Sequence, residues 1–286
     1  MAMDDLEMVA RGVVEGALHG LHRSPYLGFS SEFDSHREYR PGDDLRHVDW
    51  TVWARSDHLQ IKQYQADTNM NMYLLLDHSP SMLASNGPSP KWQYAARAAA
   101  ALAFLALQGR DGAGLCLLHD TVSRHIPPRV RPGQLNSILA LLRDPPAASG
   151  TPANLAKAIE TAAALCRRKG IVILISDMFG DDPAVLRNLA TLRSMGHEPV
   201  VIQILDPWEA ELTSSGQYEL IDLESGERFK VSSAELQSAY RKEFNTWHDS
   251  LRHEAATMGI DWITIRTDEP LRNLLVDYLL KRKRLY

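Results

Sequence analysis

At 286 residues the chain is long enough for one large domain, or one domain with an extension, around a substantial core. Hydrophobic residues make up 44% and charged residues 23%, and a net charge of -5 with a pI near 6.1 argues against a dedicated nucleic-acid binder. Two cysteines without zinc spacing, no secretory signal core and no apolar run near 18 residues exclude a disulfide scaffold and a membrane span, and lead us to expect a cytoplasmic protein.

From Asp4 to about Leu21 apolar residues recur at helical spacing, which predicts an amphipathic helix that Gly20 helps to end. Residues 24–57 read as irregular, aromatic and densely charged, around "REYRPGDDLRHVDWTVWARSD". There Arg37, Arg40, Arg46 and Arg55 stand beside Asp43, Asp44 and Asp49, and Pro41-Gly42 marks a turn. One reading is a salt-bridged plug, with guanidinium groups forked onto carboxylates and Trp50 and Trp53 packed on a sheet. The other is a docking surface, because arginine and tryptophan dominate binding hot spots. The plug is the favoured reading, and Arg37, Arg40, Arg46, Trp50, Trp53 and Arg55 remain the candidate partner-binding set. "HLQIKQYQ" then partly alternates, as a half-buried or edge strand does.

After that the chain settles into a rhythm. "MYLLLD" is an apolar strand, and "KWQYAARAAAALAFLALQG" a long helix closed by Gly109. "GAGLCLLH" and "TVSRHIPP" are two strands joined by a tight turn near Asp120. "GQLNSILALLRD" and "ANLAKAIETAAALCRRKG" are helices, "IVILISD" a strand, "DPAVLRNLATLRSMG" a helix and "EPVVIQILD" a strand. A polar hairpin around "QYELIDLESGERFKV" interrupts, with "ESGE" as its turn. A helix from Ser233 to Met258, the strand "IDWITIRTD" and the helix "PLRNLLVDYLLKRKR" complete the chain. The basic ending "KRKRLY" reads as solvated residues that complement a helix dipole. Apolar strands alternating with helices predict an α/β fold, doubly wound around a mostly parallel sheet covered on both faces. The expected division is residues 1–68 as an N-terminal extension packing on the core, and 69–286 as the α/β domain with a hairpin insertion at about 207–232.

Sites in open parallel sheets form at the carboxyl ends of strands. Asp77 and Asp177 both end strongly apolar strands, which places two carboxylates on one edge of the sheet. "DHSPS" adds the hydroxyls of Ser79 and Ser81 in the loop after Asp77, and "SGTPANLA" offers Thr151 in a loop entering a helix. Mg2+ prefers six oxygens in near-octahedral geometry and keeps several waters. Ser79, Ser81 and Thr151 can contact it directly, while Asp77 and Asp177 anchor its waters and one position stays exchangeable. Mn2+ or Ca2+ would also accept such ligands. Singly, each residue has a plainer reading: an Asx turn at Asp77, an N-cap at Thr151 or Asn154, a strand end at Asp177.

"DHSPS", "GTPANL" and "ISD" resemble the metal-ion-dependent adhesion site of von Willebrand factor A-type domains. "REYRPGDDLRHVDWTVWAR" followed by "LQIKQYQ", and later "LDPWEAEL", "DLESGE" and "GIDWITIRTDEPL", resemble the bacterial family called domain of unknown function 58. The resemblance implies a von Willebrand factor A fold with metal ligands at Asp77, Ser79, Ser81, Thr151 and Asp177. It also implies work as an adaptor with a MoxR-type AAA+ ATPase in complex assembly or chaperone-like remodelling. Many relatives carry N-terminal membrane spans, which this sequence lacks. The expected function is a non-catalytic, divalent-metal-dependent protein-protein interaction module whose partner presents an Asp or Glu to the metal.

The alternative is a metal-dependent hydrolase, phosphatase-like, using Asp77 as nucleophile. Against it, the haloacid-dehalogenase pattern needs a second aspartate where Ser79 stands, and no histidine lies in an obvious pairing with a serine. No "GxxxxGK" loop is present for ATP.

Overall fold

The computed structural model describes residues 3–21, 33–38, 48, 52–53, 60–64, 70–83, 90–143, 153–180, 183–211, 217–221, 228–232 and 234–283. Packing divides the chain into two units, one of Met1–Ser24 with Met70–Tyr286 and one of Pro25–Asn69. The first helix, α1 (Met3–Leu21), belongs to the larger unit, where the sequence reading had grouped it with the extension. Leu6, Ala10, Val14 and Ala17 are fully buried on it, spaced to line one helical face.

In the smaller unit, β1 (Phe33–Glu38) pairs antiparallel with β2 (Gln60–Tyr64), from Phe33 opposite Tyr64 to Glu38 opposite Gln60. Strand β2 was expected. Strand β1 was not, because "FDSHRE" shows no apolar alternation and its state is decided by the partner strand.

The larger unit is built on β3 (Asn71–Asp77), β4 (Gly112–Leu118), β5 (Val122–Arg129), β6 (Gly170–Ser176), β7 (Glu198–Leu205) and β10 (Asp261–Arg266). Their order across the sheet is β10-β7-β6-β3-β4-β5, with every pairing parallel except that of β4 with β5. The central strands are continuous apolar runs because helices cover both faces. Strand β5 alternates in exposure and carries Pro127 and Pro128, residues that only an edge tolerates.

A short turn of helix, α2 (Pro80–Leu83), follows β3 and leads towards α3 (Lys91–Gln108). With α4 (Gln134–Leu142), α3 covers one face of the sheet, and α1 packs outside on α3, α4 and the C-terminal helix. On the other face Tyr73, Leu75, Val172, Leu174 and Val201 pack against α5 (Leu155–Ala163), α6 (Pro183–Ser194) and α8 (Ala234–Thr257). Successive strand residues serve opposite faces, which makes this one doubly wound layer structure. The α/β class expected from the sequence is the class found.

Three local differences have physical causes. Gly109 does end α3, but with φ -76; the left-handed residue is Arg110, φ 61. Helix α5 stops at Ala163, short of the run read as helical, and the chain beyond it is tied down where the Tyr73 hydroxyl donates to the Arg168 carbonyl at 2.9 Å. The basic ending is less solvated than expected: on α9 (Leu271–Lys283), Arg282 pairs with Glu198 and Lys281 donates to the Trp262 carbonyl.

The hairpin follows α7 (Pro207–Glu211) and consists of β8 (Gln217–Ile221) paired antiparallel with β9 (Arg228–Ser232). Its expected "ESGE" turn lies outside the described residues. Because β10 returns to pair with β7, the hairpin interrupts the sheet fold without ending it. Among the described residues, no helix is long and apolar enough to cross a membrane.

Candidate metal centre

In chain order the sheet runs outward from β3 through β4 to β5 on one side, and through β6 and β7 to β10 on the other. The direction of winding therefore reverses between β3 and β6, and the crevice at their carboxyl ends is the switch point where such sheets bind ligands. Leu76 pairs with Ile175, so Asp77 and Ser176 end their strands side by side.

Asp77 is 3% exposed. Its Oδ1 accepts the Ser79 N–H at 2.8 Å, closing an Asx turn, and its Oδ2 accepts the Ser176 hydroxyl at 2.7 Å. That turn folds the loop back, so that the Ser79 and Ser81 hydroxyls stand 3.0 Å apart. The Asx turn expected at Asp77 is the one found. Burial first, and then the charge of Asp177, push the Asp77 carboxyl up to about 7, against the hydrogen bonds from Ser176 and Ser79.

Asp177 follows β6 and is also buried. Its Oδ1 accepts the Phe179 N–H at 3.1 Å, and its carbonyl accepts the Gln203 amide at 3.2 Å. Met178 between them holds φ 61, an uncommon conformation for a side chain with a Cβ, and its N–H bonds the Ser176 hydroxyl at 3.0 Å. The turn is over-determined by these contacts, as strained functional turns are.

The remaining oxygen of Asp177, Oδ2, accepts from the ammonium of Lys91 at 2.7 Å, and the same ammonium reaches Glu209 at 2.5 Å. Burial works against the Lys91 charge, but Asp177 and Glu209 outweigh it and hold its pKa above the ordinary value. The Glu209 carboxyl lies above its ordinary value, raised by burial first and also by the charge of Asp177, against the charge and hydrogen bond of Lys91. Sequence reasoning missed Lys91, Ser176 and Glu209. One signal was visible: a lysine as the first residue of a helix opposes the helix dipole and calls for a special partner.

Of the residues proposed from sequence, Asp77, Ser79, Ser81 and Asp177 meet at one end of the sheet. Thr151 lies outside the described residues, as do Arg40, Arg46, Trp50 and Arg55. Arg37 sits in β1 opposite Ile61, and Trp53 is 42% exposed. Asn154 takes the N-cap role, its Oδ1 accepting the Lys157 N–H at 2.9 Å. His78 bonds Ser123 at 2.9 Å and stacks on His119 at 5.2 Å. Since the Ser123 hydroxyl donates to the Leu117 carbonyl, His78 donates through Nε2 and presents Nδ1 as a buried acceptor without a hydrogen-bond partner among the described residues.

These residues fit a hard divalent cation. Among the described residues no three His, Cys, Asp or Glu side chains cluster as a soft or all-carboxylate site. A cation here would instead use the paired serine hydroxyls and two carboxylates, donors suited to Mg2+, Mn2+ or Ca2+. Asp177 stands close enough to both Asp77 and Glu209 to raise their carboxyls, and the ammonium of Lys91 lies between Asp177 and Glu209.

Comparison with known proteins places the molecule. A family model described as "Protein of unknown function DUF58" matches residues 35–254. An uncharacterized protein of Mycobacterium tuberculosis is 30% identical over 290 residues, covering 99% of this chain and 89% of that one. Among solved structures, the conserved hypothetical protein BatB of Bacteroides thetaiotaomicron superposes with a TM-score of 0.52 at 16% identity, over 75% of this chain and 99% of BatB. The von Willebrand factor A domain of Rpn10 matches 74% of this chain and 95% of its own at 12% identity, with a TM-score of 0.41. The fold is a doubly wound and mostly parallel sheet, and it is one that BatB shares.

Proposed function

The chain belongs to the DUF58 family, and from that premise we propose that it is a non-catalytic protein-interaction module whose contact with its partner depends on a divalent metal, Mg2+ in the first instance. The observation that carries the reading is the meeting of the Ser79–Ser81 hydroxyl pair with Asp77 and Asp177 at the switch point between β3 and β6. Ser79, Ser81 and Thr151 would hold the ion, and Asp77 and Asp177 would orient its waters. When bound, the ion supplies an electron-poor centre for an Asp or Glu carboxylate of the partner.

The chain's own residues prepare this contact. Ser176 and the Ser79 N–H fix the Asp77 carboxylate, and Lys91 and the Phe179 N–H fix that of Asp177. The same contacts favour binding over hydrolysis. Both Asp77 oxygens are occupied by donors, the Ser79 hydroxyl is paired with that of Ser81, and His78 bonds Ser123. The family resemblance further suggests a MoxR-type AAA+ ATPase, or its client, as partner.

Affinity purification from the native cell, with and without chelator, tests this. The expected result is a partner captured in Mg2+, lost in EDTA, and lost from Asp77→Ala in either buffer. Capture that ignores both chelator and mutation sinks the proposal, and Asp77-dependent phosphatase turnover would replace it with the hydrolase.

A further inference from the structure

Lys91 stands outside the proposed ligand set, yet it is 1% exposed, an unusual place for a charge. It opens α3, where a positive charge faces the positive end of the helix dipole as well as the desolvation of burial. Two carboxylates compensate: Asp177 beyond β6, and Glu209 on α7. The ammonium also lies 5.1 Å from the centre of the Phe179 ring, which stacks on Trp247 of α8 at 5.3 Å. Glu209 is itself held, its Oε2 accepting the Asp206 N–H at 3.1 Å and its carbonyl accepting the Tyr240 hydroxyl at 2.7 Å. One ammonium thus joins Asp177 to α7, and through its neighbours to α8.

We propose that Lys91 is the site's internal competitor cation: clamped between Asp177 and Glu209, it draws on the same Asp177 carboxylate that a divalent ion needs, keeps that ion weakly held and exchangeable, and ties its occupancy to the α7 segment. Glu209 sets the balance. It shares the ammonium with Asp177, and without its charge Lys91 would fall wholly to Asp177. The inference rests on the metal reading of the preceding section.

Two substitutions carry opposite signs. Lys91→Met keeps an unbranched side chain, one atom shorter, and removes the competing charge, so Mn2+, used as a spectroscopic probe, should bind at least about tenfold more tightly. Glu209→Gln keeps an acceptor for Lys91 but removes a negative charge, so Mn2+ should bind about tenfold more weakly. Both are read from the electron paramagnetic resonance of free Mn2+ during titration, beside Asp77→Ala. A merely structural role for Lys91 would lower the unfolding midpoint of both variants and leave Mn2+ affinity unchanged, or weaken it in both. Either outcome overturns the inference while leaving the metal reading standing. Wild-type protein that takes up no Mn2+ overturns both. Should Lys91→Met not fold, Glu209→Gln decides alone, and unchanged affinity there overturns the competitor role.

Discussion

Asp77 and His78 are adjacent and pulled in opposite directions by the same burial. With no metal bound, the Asp77 carboxyl rises to about 7 and the His78 imidazole falls to about 4. The signs follow from proton linkage. Asp77 keeps a proton that the unfolded chain releases near 3.8, so its contribution to stability is present below that pH and lost as pH rises through 7. His78 refuses a proton that the unfolded chain takes up near 6.5, so its contribution is present above 6.5 and lost as pH falls towards 4. Between about 4 and 6.5 the two slopes cancel, and wild-type stability alone conceals both. Asp77→Asn should unmask them. In EDTA, the urea stability of Asp77→Asn relative to wild type should grow between pH 4 and pH 8 by on the order of 2–4 kcal/mol. A difference that stays flat with pH would mean that Asp77 is ionised in the metal-free fold. Asp77, Ser79, Ser81 and Asp177 could be read as candidates because three of them share one short stretch after an apolar strand and the fourth directly ends another. Lys91 was not, because its partners stand 86 and 118 positions away and only the folded chain brings them together.

At the scale of elements, what could be read depended on whether local pattern or a distant partner decides the state. Strands β3, β6 and β7 are uninterrupted apolar runs and declare themselves. Strand β1 exists through its pairing with β2, and α5 gives way early to a segment pinned by Tyr73 from β3, neither of which periodicity reveals. Caps and close approaches behave likewise and can be weighed against each other. Asn154 caps α5 at the exposed surface, so Asn154→Ala should cost about 1 kcal/mol and leave metal affinity alone. Gly170 opens β6 so close to β3 that an added Cβ would stand 2.1 Å from the Asn71 carbonyl oxygen, a backbone atom that cannot swing away. Gly170→Ala should therefore cost more, about 1–3 kcal/mol or above, through parting of the two strands that flank the site. Guanidinium unfolding of both variants checks the ranking, and an Asn154 variant that loses more stability than the Gly170 variant contradicts it.

For the whole molecule, the alternation of apolar strands and helices reveals a doubly wound sheet, but not which strands are neighbours. That order matters most, since it brings β3 beside β6 and makes their two carboxylates one site. Asp77, Ser79, Ser81 and Asp177 stand at or just beyond the strand ends, so the hydrophobic layers on both faces do not depend on them. Binding to the native state alone stabilises it in proportion to the logarithm of ligand excess, about 2.7 kcal/mol at a hundredfold excess over Kd. For a unit of this size each kcal/mol raises the unfolding midpoint by about 2–4 °C, so saturating Mg2+ should raise it by about 5–10 °C. In Asp77→Ala the rise should vanish while unfolding stays cooperative, because the sheet is intact and only the anchored end is lost. A variant that keeps the full rise would place the ion elsewhere on the protein, and one that no longer unfolds cooperatively would show Asp77 to hold the fold together as well as the ion.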